Sequence, residues 1–151
     1  MAMIKRFLPA AMFLLSVGAA HAATEPAVVL HGKRFSAEFA TTDDSRAMGF
    51  MNRTSIPADH SMLFVFADDE PRSFWMKNTL VPLDILYFDK DLKLVAMQLN
   101  AQPCKADPCA IYPSGDRSAR YVLELNGGVA GKLGLKLGDA LKVDGDWGKV
   151  Q

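Results

Sequence analysis

The chain has 151 residues, half of them hydrophobic, with 17 Lys+Arg balanced by 17 Asp+Glu, and only two cysteines. That length and apolar content suit one domain with one core. No run of like charges reads as a polyanion-binding patch, so nucleic acid is not an expected partner.

In chain order, the first feature is a targeting segment. Lys5 and Arg6 precede an apolar run from Phe7 to Ala20, and Ala20-His21-Ala22 places small residues where a signal peptidase reads them. This is the pattern of a signal peptide over residues 1–22, cleaved after Ala22. The alternative, an uncleaved anchor, needs a span of about 20 apolar residues, longer than this run. The mature domain is then residues 23–151, exported to the periplasm or the extracellular space, with no further apolar stretch able to cross a bilayer. Loss of Lys5 and Arg6 turns the even charge balance into −2.

Val28 to Leu30 and Arg34 to Ala40 read as strands, the second alternating Phe35, Ala37 and Phe39 with Arg34, Ser36 and Glu38. Thr41-Thr42-Asp43-Asp44 offers a cap and early acids for a short helix over about 43–51. Residues 57–60 form a loop and 61–66 a strand buried on both faces. The acids and proline of 67–71 predict a solvated turn. Residues 74–77 and 83–88 follow as separate strands, and 92–99 alternates again. Residues 112–117 are rich in Pro and Gly, and 119–125 is another strand. A short helix follows Gly127-Gly128 and stops at Gly134, and 141–143 forms an edge strand. Many short strands and two small helices predict a mainly β chain, a single antiparallel barrel or sandwich-like domain. A parallel sheet is not expected, because no strand is followed by a long crossover helix.

Cys104 and Cys109 enclose Lys105-Ala106-Asp107-Pro108. In an oxidising compartment the default is a structural disulfide. Closing so small a loop stabilises by only about 2 kcal/mol in the chain-entropy model. Two cysteines are too few soft ligands for a metal site. Met48, Met51, Met62 and Met76 could offer thioethers to Cu(I), but their apolar neighbours make core filling the stronger reading. His31 and His60 read as surface or turn residues, and no metal or cofactor is expected.

Arg46-Ala47-Met48-Gly49-Phe50-Met51-Asn52-Arg53, Met62-Leu63-Phe64, Phe74-Trp75-Met76-Lys77-Asn78-Thr79, Pro82-Leu83-Asp84-Ile85 and Tyr121 to Leu125 occur in this order. Together they resemble the domain of unknown function 192 family, across roughly residues 34–143. The resemblance implies a compact β-rich fold in a small, largely exported domain, and no established activity. Phe50, Ser61 and Gly128 depart from the residues common in the family, at positions that affect packing and turns.

Strand parity puts Phe74 and Met76 on one face and Trp75 and Lys77 on the other. An indole plane and an ammonium suit a polar or anionic small molecule or a cell-envelope component, with Asn78 beside them. Asp84 and Glu124 fall on apolar sides of their strands and require donors. Arg46, Arg53 and Lys77 are the expected counter-ions. The expected function is therefore ligand binding by Trp75, Lys77, Asn78, Arg46, Arg53, Asp84 and Glu124, with no catalytic residue assigned. The alternatives are an envelope hydrolase using Asp84 and Glu124 as a carboxylate pair, or a structural, partner-binding protein without a small ligand.

Overall fold

The computed structural model describes residues 25–151, so the signal segment expected over 1–22 lies outside the described residues. The strands are β1 (Ala27–Leu30), β2 (Lys33–Ala40), β3 (His60–Trp75), β4 (Leu83–Phe88), β5 (Leu94–Ala101), β6 (Ile111–Asn126) and β7 (Lys142–Asp144), with helices α1 (Asp43–Met48) and α2 (Val129–Leu133). The strands form one sheet in the order β5-β4-β6-β3-β2-β1-β7, curled into a half-barrel. The chain is mainly β with two short helices, as its composition of short alternating segments predicts.

One pairing is parallel. β2 runs beside β3 with Ser36 opposite His60 and Glu38 opposite Met62. The other pairings are antiparallel, as expected, and this one departs from that pattern. The connection between these strands holds only the short α1, yet an extended crossover on either side of it is long enough to return the chain.

Two long strands replace five predicted segments. The acids of 67–71 were expected to turn the chain, and the Pro/Gly-rich 112–117 to loop. Instead β3 and β6 run on past the sheet as a two-stranded ribbon, pairing Glu70 with Ala119 and Trp75 with Ile111 across two register shifts. Water reaches much of this ribbon, so its outward positions accept Asp, Glu and Pro, residues that a fully covered sheet would exclude. α1 ends at Met48, earlier than expected, because Gly49 turns to φ 48°. Gly134 stops α2 in the left-handed conformation, as its position predicts.

The sheet separates two apolar clusters. Phe35, Leu63, Leu86, Phe88, Leu123 and Leu125 belong to one, and Phe50, Phe64, Ile85, Tyr87 and Val122 to the other. All six residues of β4 are buried in consequence. Cys104 and Cys109 are joined by a disulfide with a Cα–Cα distance of 5.4 Å. Among the described residues no helix is long and apolar enough to cross a membrane.

Candidate functional site

The second cluster is open at one end. A cleft of about 250 Å³ lies between α1 with its following turn and the edge of β3, lined by Arg46, Met48, Gly49, Phe50, Met51, Phe64, Phe66, Phe74, Trp75, Thr79 and Glu124 among others. Thr42 caps α1 through a reciprocal capping box with Ser45. The turn then comes down close on the sheet. A Cβ on Gly49 would lie 3.3 Å from Phe64 and 3.7 Å from Glu124 Oε2, so glycine serves both the positive φ and the close approach.

Glu124 is the buried acid of this cleft. It pairs across β6 with Met62 of β3 and Ile85 of β4, and only 5 % of it is exposed. Among the described residues no side chain forms an ion pair with its carboxyl group. Burial alone pushes it up to about 8, so near neutral pH the group is largely a carboxylic acid, with one O–H donor and acceptor capacity facing the cleft. Burial raises the neighbouring Tyr87 as well, with the charge of Glu124 adding to the effect. The Tyr87 hydroxyl donates to the Tyr112 carbonyl.

Asp84 occupies the other side of the sheet. Its strand neighbour Ile85 is the residue paired with Glu124, while Asp84 itself is paired with Leu125. Successive residues of a strand face opposite ways, so the two acids project from opposite faces. Asp84 is fully buried. Its Oδ1 accepts from the backbone N–H of Asn100 at 2.7 Å and Gly128 at 3.0 Å, and its Oδ2 from that of Ala130 at 2.8 Å. The acid ties β5 and the start of α2 to β4. A carboxylate pair sharing one substrate is not assembled.

The expected counter-ions also have other partners. Arg46 donates to the Val65 carbonyl at 2.9 Å, to Asp43 at 2.6 Å and to the Gln151 carbonyl. Its guanidinium lies 5.1 Å from the Phe66 ring centre, where Arg72 also stacks at 3.9 Å. Arg53 forms a two-pronged pair with Glu38, at 2.5 and 2.8 Å. That hydrogen bonding leads in holding Glu38 down at about 2. Neither arginine meets Asp84 or Glu124. Backbone amides on one side, and an uncharged acid on the other, remove the need for a cation.

Arg53→Ala therefore strands a half-exposed acid, not a buried one. Both side chains of the pair are more than a third exposed, so screening limits the loss to about 1 kcal/mol. The contribution is present above the ordinary glutamate value of 4.5 and fades as pH falls toward about 2. Urea unfolding of both proteins across the acidic range checks it. A loss of several kcal/mol, or one independent of pH, would contradict this assignment.

Trp75 is half exposed at the rim of the cleft, and Met76 is buried. Phe74 is half-buried and stacks edge-on against Phe64 at 4.9 Å. The Lys77 ammonium sits 5.3 Å from the Trp75 ring centre. Lys77 does not line the Glu124 cleft. With Asn78 it borders a smaller one of about 160 Å³ against Cys104, Lys105, Ala106, Asp107 and Cys109. Asn78 takes φ 54°, and its carbonyl accepts from the Asn52 amide at 2.8 Å. It thus shapes the turn that follows β3. Of the predicted site residues, the fold brings Trp75, Arg46 and Glu124 to one cleft and distributes Lys77, Asn78, Arg53 and Asp84 elsewhere.

Two histidines have polar partners that isolated turn residues would lack. His31 bonds the Leu133 carbonyl at 2.9 Å and Asp139 at 2.7 Å. His60 lies between Ser36 Oγ and Glu38 Oε1, 2.8 Å from each. The aromatic walls of the cleft, Phe50, Phe64 and Phe66, also went unassigned from sequence. Hydrophobic pattern alone gives such residues to the core.

Comparison with curated proteins finds no match. The similar solved structures include two that cover most of this chain. One is a "putative transcription regulator" from Sinorhizobium meliloti 1021, 33% identical with TM-score 0.70, covering 78% of this chain and 91% of that one. The other is a protein of unknown function from Novosphingobium aromaticivorans DSM 12444, 33% identical with TM-score 0.68, covering 78% of this chain and 82% of that one. Residues 27–143 match the model of the domain of unknown function 192 family, described as an uncharacterised ACR. With the match spanning most of the sheet and both clusters, the chain belongs to that family.

Proposed function

We propose that this chain binds a compact polar or anionic small molecule, or the end of a cell-envelope component, in the cleft lined by Trp75 and Glu124. The observation that carries the reading is Glu124, a buried carboxyl group without a side-chain ion-pair partner, facing an aromatic-walled opening. The carboxyl group opens on the cleft, so a ligand there can hydrogen-bond it directly. As a neutral acid Glu124 can donate to a carbonyl or anionic oxygen, while the Trp75 ring covers an apolar face. The cleft volume of about 250 Å³ falls just under the usual range of roughly 300–1,000 Å³ for small-molecule sites. A single ring or a short chain fits that space.

The reading extends to place. Cleavage after Ala22 and export of a single domain over 23–151 agree with the Cys104–Cys109 disulfide. Hydrolysis by a carboxylate pair has no support once Asp84 and Glu124 face apart. Transcription regulation, the role named for one relative, draws no support from α1 and α2, whose 6 and 5 residues are too short for a recognition helix.

The test is a thermal-shift screen of small carboxylic acids, amides and monosaccharides, repeated on Trp75→Ala and Glu124→Leu. A true ligand at a hundred times its Kd stabilises the wild type by about 2.7 kcal/mol, and both variants lose most of that gain. A compound that stabilises all three proteins equally binds elsewhere and removes the proposal.

A further inference from the structure

A second group of residues, on the β2–β3 seam, has the connectivity of a nucleophile and its base. Ser36 and Glu38 are two apart on β2 and so share a face. The parallel register sets His60 directly beside Ser36. His60 Nδ1 is 2.8 Å from Ser36 Oγ, and its Nε2 is 2.8 Å from Glu38 Oε1. Arg53 grips both oxygens of Glu38 and keeps it ionised.

Proton placement follows from that arrangement. An ionised carboxylate only accepts, so Nε2 carries the proton that faces Glu38. In the neutral ring Nδ1 then presents its lone pair to Ser36. The Ser36 hydroxyl can donate there at 2.8 Å or to the Asp59 carbonyl at 3.2 Å, and the shorter contact goes to the base. Ser36 is exposed and opens on a cleft of about 370 Å³ lined by Glu25, Pro26, Ala27, Arg34 and Asp59. The Ser36 and Ala37 amides are already bonded to the Asp59 and Pro26 carbonyls. Charge stabilisation would therefore fall to Arg34, whose five N–H donors exceed its bonds to Asp144 and Glu25.

We propose that Ser36, His60 and Glu38 form a serine acyl-transfer site for small uncharged carboxylic esters, with Arg34 facing the developing oxyanion. Ser36 Oγ bonds to the acyl carbon as its proton passes to His60 Nδ1. The ester C–O bond then breaks, and the leaving alcohol takes that proton. Water repeats the attack through the same base, releasing the carboxylic acid and restoring Ser36. Glu38 fixes the imidazole tautomer, the part an acid plays in the serine triads. This site is independent of the Trp75–Glu124 cleft.

The test is labelling of the purified protein by a fluorophosphonate, which forms an Oγ–P bond, expels fluoride and passes the serine proton to His60. Peptide mapping should place the adduct on Ser36. Ser36→Ala should abolish it, and His60→Gln should slow it by about 100-fold or more, the scale of a lost general base. Exposed Ser55→Ala should leave the rate unchanged, and melting curves should show each variant folded. No adduct on Ser36, or labelling of Ser36 at an undiminished rate in folded His60→Gln, would overturn the proposal.

Discussion

Asp84→Ala is expected to lower the unfolding free energy by about 4 kcal/mol, since it leaves three backbone N–H groups without their acceptor at roughly 1–3 kcal/mol each. The acid is fully buried, so water cannot replace it without opening the joint among β4, β5 and α2. Asp84→Asn distinguishes the number of bonds from the mere presence of a polar side chain. Its oxygen can keep the Asn100 and Gly128 amides, but its NH2 then faces the Ala130 N–H. About half of the alanine loss should remain. Urea midpoints at constant m-value measure both. An alanine variant within about 1 kcal/mol of wild type would show that the three bonds are not the clamp described.

Glu124→Gln has the second large effect, and it depends on pH. The folded carboxyl group titrates near 8 and the unfolded one near 4.5. Between these values the folded protein holds a proton that the unfolded chain has released, so stability falls as pH rises. The contribution is fully present below about 4.5 and lost by about 8, a swing of roughly 4 kcal/mol. Glutamine cannot ionise and removes this slope. Urea unfolding of both proteins at about pH 5 and about pH 8.5 should therefore find the difference moving in favour of the variant. A difference that stays flat would mean that Glu124 is neither dry nor unpaired.

The strands were legible where one face is apolar and the other wet. Phe35, Ala37 and Phe39 alternate with polar residues over β2, whereas β3 ends at Trp75, so strand parity does not reach Lys77 even though its ammonium lies over the Trp75 ring. The long β3–β6 ribbon was not legible. Its outward residues are solvated, so Asp68, Asp69 and Pro71 carry the composition of a turn. The partners of Asp84 were hidden for a different reason. Backbone amides have no residue type, and a search for counter-ions among arginines could only point elsewhere. The Ser36–His60 contact depends on a parallel register, which no spacing along the chain encodes. Glu124 was legible as an anomaly, while its exposure to a cleft depends on where the turn at Gly49 comes to rest.

The sheet also acts as a partition between two kinds of constraint. Residues on the face of Asp84 answer to closure of the fold, and those on the face of Glu124 to the shape of an opening. Substitutions at the cleft rim, at Met48, Met51 or Trp75, share no partner with the joint at Asp84, so their costs should add independently. A chain divided in this way can vary the cleft face while the joint at Asp84 stays fixed.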